Sequence, residues 1–119
     1  MLQGFELGWV VAILEGEGCF GIYWDKRRPD TCSVKIQMES TDYDVVIKLD
    51  GLVPGRVWES NYPSKTKAFP NAKPSWRWAI SDKKKVKELC ELIYPFMSER
   101  RKSKIDEILK NCYYRKETN

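Results

Sequence analysis

The chain has 119 residues, long enough to bury one hydrophobic core but not two, so we expect a single domain over residues 1–119. With 42% hydrophobic and 32% charged residues, its composition is that of a globular protein and excludes a disordered or membrane-spanning chain. The net charge is only +4, yet residues 63–104 carry twelve lysines and arginines against four acids, which favours a polyanionic partner.

The chain opens with a segment rich in small and apolar residues. Read as a helix, residues 8–18 present a strip of small residues at i, i+4 spacing, on which another backbone could lie close: Gly8, Ala12 and Gly16. The helix then ends in two acids, Glu15 and Glu17, with Gly18 available as the residue that leaves the helical conformation. A carboxylate pair at the end of a close-packed helix is costly without a positive partner such as a metal ion.

Two strands joined by a basic turn follow this helix. Residues 20–24 are aromatic and β-branched, residues 25–30 read as a turn, and residues 32–39 form the second strand. In that strand Val34, Ile36 and Met38 share one face, and the opposite face holds the polar residues Ser33, Lys35, Gln37 and Glu39. We expect a hairpin with one buried and one solvent-facing side.

The next part of the chain predicts a short helix and two more strands. Ser40 to Asp44 offer N-cap residues for a helix that ends before Gly51, with Tyr43, Val46, Ile47 and Leu49 as its apolar positions. Strands at residues 55–60 and 75–81 are separated by a long loop rich in proline and lysine. We expect Trp76 and Trp78 to pack in the core, whereas Trp58 could lie on either side of the sheet.

Two helices complete the chain. Residues 82–94 have an apolar stripe of Val86, Leu89, Leu92 and Ile93 and stop at Pro95, while their lysines form a solvent-facing side. The last helix starts at Met97 or Ser98, ends near Tyr113 and packs through Ile105, Ile108, Leu109 and Cys112. The order α-β-β-α-β-β-α-α predicts an α+β fold, a four-stranded antiparallel sheet with helices on one face and the other face free to bind.

The amino-acid content narrows the possible chemistry. The absence of histidine excludes Ser-His-Asp and Cys-His catalysis and the usual zinc sites, which leaves carboxylates, lysine, arginine and a hard metal ion. None of the cysteines has Cys-x-x-Cys spacing, and the start lacks the pattern of an export signal. We therefore expect a cytoplasmic location and reduced thiols at all four cysteines: Cys19, Cys32, Cys90 and Cys112.

Residues 10–18, Val-Val-Ala-Ile-Leu-Glu-Gly-Glu-Gly, resemble the nine-residue signature of the LAGLIDADG homing endonucleases, with Glu-Gly-Glu-Gly in place of Asp-Ala-Asp-Gly. The resemblance extends through Cys19-Phe20, the helix from Asp42, the strand at residues 55–58 and residues 94–101. It implies a saddle-shaped sheet and Mg2+-dependent hydrolysis of both strands of double-stranded DNA at a specific sequence, as in intron homing. The single motif implies a homodimer on a roughly palindromic site.

The resemblance also implies roles for individual residues. Glu17, with Gly16 beside it, would bind Mg2+ and reach the scissile phosphates. Arg100 stands where family members often carry a catalytic lysine, and because arginine keeps its charge, its role would be electrostatic. Arg101 and Lys102 are neighbours that could substitute for it. The contact between two subunits would use Gly8, Ala12, Ile13, Glu15 and Gly16.

The free face of the predicted sheet fits the major groove of DNA. The side chains expected to read bases are Tyr23, Lys35, Gln37 and Arg77, and more weakly Ser33, Ser60 and Ser75. Basic residues in loops are expected on phosphates. These are Lys26, Arg27 and Arg28 in the first hairpin turn, and Lys65, Lys67 and Lys73 in the long loop.

Two other functions remain open from the sequence. The same fold could bind DNA without cleaving it, as a regulator, or act as an RNA-splicing maturase. The second is a structural dimer that uses only the strip of small residues. This function predicts no salt-sensitive DNA binding.

Overall fold

The helices and strands follow the predicted order. In the computed structural model, which describes residues 2–60 and 74–113, four antiparallel strands form one sheet in the order β1-β2-β4-β3. The elements are α1 Gly4–Glu17, β1 Cys19–Trp24, β2 Cys32–Ser40, α2 Tyr43–Leu52, β3 Arg56–Ser60, β4 Ser75–Ile80, α3 Lys83–Ile93, a 3-10 turn Tyr94–Phe96 and α4 Glu99–Cys112. The predicted α+β fold class is confirmed.

The sheet has one buried and one solvent-facing side. In β2, Val34, Ile36 and Met38 are at most 2% exposed, as their alternation predicted. The pairing between strands places buried residues opposite buried ones and solvent-facing residues opposite solvent-facing ones, so each side extends across the whole sheet. The solvent-facing side, here called the open face, carries Cys19, Gly21, Tyr23, Ser33, Lys35, Gln37, Glu39, Arg56, Trp58, Ser60, Ser75, Arg77 and Ala79.

Tryptophans of β4 anchor the helices to the buried side. Trp78 is fully buried, and its Nε1 donates a hydrogen bond to the Val53 carbonyl at 3.0 Å. Trp76 is half-buried and meets the Tyr43 ring edge-on, with ring centroids 5.3 Å apart. The core positions predicted for these two tryptophans are confirmed, whereas Trp58 lies on the open face.

Helix α2 differs from the prediction at its end and in its packing. It continues through Gly51 to Leu52, because Leu52 packs against the core and the Val53 N–H still bonds to the Leu49 carbonyl at 2.7 Å. Val46 and Leu49 are fully buried, but Tyr43 and Ile47 are 50% and 41% exposed. Only one narrow side of this short helix reaches the sheet.

Helix α1 carries apolar side chains on more than one side. Val10 and Leu14 are fully buried in the core, whereas Phe5 is 98% exposed. The small residues Ala12 and Gly16 also face solvent. One side of the helix therefore packs inward and another is left uncovered in the single chain. Within residues 2–60 and 74–113, no helix combines the length and hydropathy that a membrane crossing requires.

The cysteines differ from the prediction of four reduced thiols. Cys32 at the start of β2 and Cys112 at the end of α4 form a disulfide, with Cα atoms 6.1 Å apart. Cys19 is free and exposed, and Cys90 is free and buried. The prediction was wrong for Cys32 and Cys112 because packing brings together positions 80 residues apart, which sequence spacing does not reveal.

We expect thiol titration of the oxidised native protein to detect Cys19 at once and Cys90 only after unfolding. Burial raises the pKa of the Cys90 thiol to about 12, which further slows its reaction. Cys112→Ser should lower the free energy of unfolding by about 2–4 kcal/mol, because the crosslink restricts the unfolded chain. A reductant should destabilise the wild type and leave this variant unchanged. Equal urea midpoints for the two proteins without reductant would contradict the crosslink.

Candidate active site and nucleic-acid interface

The C-terminal end of α1 meets the N-terminal end of α4 through Arg101. Its Nη1 donates to the Gly18 carbonyl at 2.6 Å, and its Nη2 donates to the Glu15 carbonyl at 3.0 Å. The last carbonyls of a helix have no partner within the helix and carry its negative dipole end, so a guanidinium is well suited to them. Arg101 therefore holds the end of the helix that carries the motif.

Glu15 strengthens the same junction from the other direction. Its carboxylate accepts hydrogen bonds from the Ser98 backbone N–H at 2.7 Å and from the Ser98 hydroxyl at 2.9 Å. Ser98 is also the N-cap of α4, where its hydroxyl accepts the Arg101 N–H. Arg101 Nε, which is buried without a hydrogen bond among the described residues, lies 3.7 Å from Glu15 Oε2, within ion-pair distance. We call Glu15, Gly18, Ser98 and Arg101 the α1–α4 junction.

These contacts change the acidity of Glu15. The backbone hydrogen bond from Ser98 is the main cause that lowers the pKa of this carboxyl below its ordinary 4.5. The Ser98 hydroxyl and the charges of Arg101 and Arg100 act in the same direction, and they outweigh the opposing effect of partial burial. Glu15 is thus bound within its own chain, although the sequence suggested a place in the contact between subunits.

Glu17 is exposed at the end of α1 and borders a small cavity of about 180 Å³. Gln37 and Arg77, two of the predicted base-reading residues, border the same cavity, together with Cys19, Met38 and Glu39. The structure therefore brings the candidate catalytic acid to the edge of the open face. Glu39 was not predicted as a functional residue; its only signal in the sequence was its place on the polar side of β2, two residues from Gln37.

Arg100 borders a different cavity from Glu17. It is exposed and borders a cavity of about 540 Å³ together with Cys19, Phe20 and Lys104. Cys19 borders both the Arg100 cavity and the Glu17 cavity. Arg100 does not border the Glu17 cavity. Of its two neighbours, Arg101 is engaged in the α1–α4 junction, and Lys102 Nζ lies 5.6 Å from the centre of the Tyr94 ring.

The oxygen donors at the end of α1 fit a divalent ion only in part. Within residues 2–60 and 74–113, no three acidic, cysteine or histidine side chains group closely enough to hold a metal ion. Glu17 offers one carboxylate, and Gly16 beside it offers a backbone carbonyl. Mg2+ is commonly bound by one or two carboxylates together with phosphate oxygens. The donors of this chain therefore fit Mg2+ when further oxygen ligands come from outside it.

The open face gathers most of the predicted base-reading residues. Tyr23, Ser33 and Lys35 line a concavity of about 640 Å³ together with Arg56 and Trp58. The Arg56 guanidinium lies 4.8 Å from the centre of the Trp58 ring. Arg56 was missed from the sequence, although it alternates with Trp58 and Ser60 in β3. Aromatic and cationic groups on one surface are typical of nucleic-acid-binding sheets.

Two predicted base-reading residues are less accessible. Ser60 and Ser75 are only 8% and 7% exposed, and they lie opposite each other where β3 pairs with β4. The Ser75 hydroxyl donates a hydrogen bond to Glu39 Oε2. Ser75 therefore supports another side chain of the open face and is not positioned to meet a base edge itself.

The remaining predicted contacts fall in loops and on α1. The hairpin turn between β1 and β2 exposes its three basic residues, Lys26, Arg27 and Arg28. Lys65, Lys67 and Lys73 lie outside the described residues. On α1, a Cβ added to Gly8 or Gly16 would meet nothing within 4 Å, so the strip of small residues is open to a partner backbone. Ile13 beside it is half-buried.

This arrangement defines a class of α+β proteins in which a helix-covered antiparallel sheet offers a basic open face, with an acid at the end of the first helix. By sequence, the chain matches no protein-family model and no curated protein. By structure, it is similar to the homing endonuclease I-CvuI in complex with its target, with a TM-score of 0.66 and 12% identity over 87% of this chain and 63% of that one.

Two further solved structures share the fold. One is the archaeal intron-encoded homing endonuclease I-Vdi141I complexed with DNA, with a TM-score of 0.64 and 14% identity over 87% of this chain and 66% of that one. The other is the group I intron-encoded homing endonuclease I-CeuI complexed with DNA. Its TM-score is 0.61, with 14% identity over 93% of this chain and 59% of that one. The chain spans less than two thirds of the length of these proteins. The resemblance to homing endonucleases is thus confirmed at the level of the fold.

We expect Glu15→Gln to destabilise the protein at neutral pH and to have a smaller effect in acid. The folded-state pKa of Glu15 is lowered, so its contribution is complete above the ordinary value of 4.5 and is lost as the pH falls through the folded-state value. Urea unfolding at pH 7 and pH 3 measures both effects. Ser98→Ala is the matched partner, and the two changes should be less than additive when combined. A pH-independent difference between wild type and Glu15→Gln would contradict this assignment.

Proposed function

We propose that this chain is a sequence-specific DNA endonuclease that hydrolyses both strands with Mg2+ and acts as a homodimer on a roughly palindromic site. The observation that carries the proposal is the cavity that Glu17 shares with Gln37 and Arg77. It joins a candidate catalytic carboxylate to side chains that can read bases. The fold shared with homing endonucleases that were solved with DNA adds support.

The open face is suited to the major groove. A β-ribbon fits this groove, where each base pair presents its own pattern of donors and acceptors. Tyr23, Lys35, Gln37, Arg56 and Arg77 offer both donors and acceptors there. The exposed basic residues of the first hairpin turn can reach phosphates and fix the register, while the open face reads the sequence.

The residues at the end of α1 would perform the chemistry. The Glu17 carboxylate and the Gly16 carbonyl are the groups of this chain that would hold the divalent ion. A divalent ion bound there supplies Lewis-acid activation of the phosphate and of the attacking water. Arg100 would act through the positive charge of its guanidinium and stabilise the charge that develops on the phosphate. The α1–α4 junction keeps Glu17 in place.

The uncovered side of α1 supports the homodimer. Gly8, Ala12 and Gly16 lie on the solvent side of a helix whose opposite side is in the core. A two-fold axis along this strip would bring two α1 helices together and place two Glu17 carboxylates symmetrically over the DNA. Because Ser98 already binds Glu15, the small residues and Ile13 would carry the contact.

We expect Glu17→Gln to retain DNA binding and to lower the cleavage rate by more than about a hundredfold, because even the outer partners of metal ligands can cost that much. Glu6→Gln is the matched control, since Glu6 is an exposed acid in the first turn of the same helix. Cleavage of plasmid DNA that contains the selected site measures the rate. Wild-type cleavage by Glu17→Gln would remove Glu17 from the mechanism.

We expect Ala12→Arg to convert the homodimer into a monomer, because a long charged side chain prevents close approach of two helices. Sedimentation equilibrium should give twice the 14.0 kDa chain mass for the wild type and the single mass for the variant. Glu88→Arg, an exposed position on α3, is the control and should remain dimeric. A monomeric wild type bound to a symmetric DNA site would contradict the proposed assembly.

Incubation with Mg2+ and a plasmid library of randomised sites separates the proposed enzyme from the alternatives. Recurring double-strand breaks at one sequence support the endonuclease. Salt-sensitive DNA binding without breaks would favour a non-cleaving regulator or a maturase. Absence of any salt-sensitive binding would favour a purely structural dimer.

A further inference from the structure

Three side chains of the open face form one hydrogen-bonded cluster. Arg77 Nε donates to Glu39 Oε1 at 3.0 Å, and the buried Ser75 hydroxyl donates to Glu39 Oε2. Both carboxylate oxygens of Glu39 are therefore engaged, and Arg77 is held at Nε. We call Glu39, Ser75 and Arg77 the Glu39 cluster. An isolated surface ion pair contributes little to stability, so the interest of this cluster lies in the orientation that it gives to Arg77.

The cluster lies in the middle of the open face. Strand β4 pairs with β2 on one side and β3 on the other, so Arg77 stands between Glu39 and Trp58. The Arg77 side chain is 39% exposed, and it borders the cavity that Glu17 also borders. If the open face entered the major groove as proposed, an arginine in this place would meet base edges close to the phosphate that Glu17 would approach.

The bond at Nε leaves the outer end of the guanidinium to a ligand. Within the described part of the chain, Nη1 and Nη2 of Arg77 make no hydrogen bond. Two parallel N–H donors match the O6 and N7 acceptors of guanine, the most frequent specific contact in the major groove. A phosphate fits this position less well, because the Glu39 carboxylate would repel it and phosphates border the groove rather than its floor.

We propose that Arg77 reads the guanine of a G·C base pair in the major groove next to the scissile phosphate, and that Glu39 is the positioning residue that holds Arg77 for this contact. The inference rests on the proposed function, since it requires duplex DNA on the open face. In a homodimer the same base pair occurs once in each half of the site.

Selection of bound duplexes from a randomised pool in metal-free buffer tests the contact. The wild-type consensus should contain one symmetric G·C pair whose preference falls by about tenfold to a hundredfold in Arg77→Ala. Arg77→Lys keeps the charge without the planar fork, so overall affinity should persist while this preference weakens. Lys84→Ala, which removes the same charge from an exposed position on α3, is the control and should leave this preference unchanged. Circular-dichroism melting confirms that each variant folds.

Modified bases test the atoms involved. A selected duplex with 7-deazaguanine at that position lacks the N7 acceptor and should bind the wild type more weakly, but Arg77→Ala should not distinguish it from guanine. Inosine keeps O6 and N7 and should bind as guanine does. Glu39→Gln should lower the guanine preference and raise affinity for unrelated DNA at low salt, because it removes a negative charge from the DNA-facing side.

The outcomes separate the inference from the proposed function. A guanine preference that survives Arg77→Ala, or equal wild-type binding of guanine and 7-deazaguanine, overturns the inference and leaves the endonuclease intact. A Glu39→Gln variant that keeps the preference but loses cleavage would assign Glu39 to metal binding and overturn its positioning role. A wild-type protein that selects no duplex at all overturns both.

Discussion

The contact of Arg101 with the carbonyls of Glu15, in the last turn of α1, and of the C-cap Gly18 is the constraint on which the site depends. A helix leaves its final carbonyls without internal partners, and unpaired buried acceptors are costly. Here the guanidinium takes the carbonyls of Glu15 and Gly18, while the Glu15 carboxylate returns two hydrogen bonds to Ser98 at the start of α4. The negative end of one helix and the positive end of another thus complete each other. These contacts also fix the backbone at Glu17, which lies between Glu15 and Gly18.

The open face combines several cationic side chains with one central acid on a surface suited to a polyanion. Three of its four charged residues are cationic (Lys35, Arg56 and Arg77), and the fourth, Glu39, is held by Ser75 and Arg77. An acid in this place weakens the attraction of the surface for any polyanion, but it fixes the direction of an arginine. The same surface therefore combines a long-range electrostatic component with at least one orientated donor pair. In the proposed function, affinity and specificity for DNA would therefore depend on different side chains of one sheet.

The sequence predicted much of the fold because several elements have only one buried side. The alternation of Val34, Ile36 and Met38 identified both faces of β2, and helical spacing identified the buried stripe of α3. The sequence pattern gave wrong predictions where contacts between distant parts of the chain determine the structure. Leu52 packs on the core and extends α2 past Gly51, and no spacing rule reveals the disulfide of Cys32. For the site, the motif identified Glu17 and the strand pattern identified Gln37 and Arg77, but the sequence did not predict that the three border one cavity. The roles of Ser98, Arg101 and Glu39 depend on contacts across the fold, and the sequence alone did not indicate them.

Gly18 is the single residue between α1 and β1. Its backbone angles, φ −73° and ψ 149°, are accessible to any residue, but an added Cβ would lie 2.5 Å from the Leu14 carbonyl oxygen. Glycine is therefore required here because a side chain would not fit, and not because of the backbone angles. Any side chain at this position would have to displace the Leu14 carbonyl, so the direct connection of α1 to β1 restricts the position to glycine. Because Arg101 also binds the Gly18 carbonyl, the sheet and α4 together set where α1 ends.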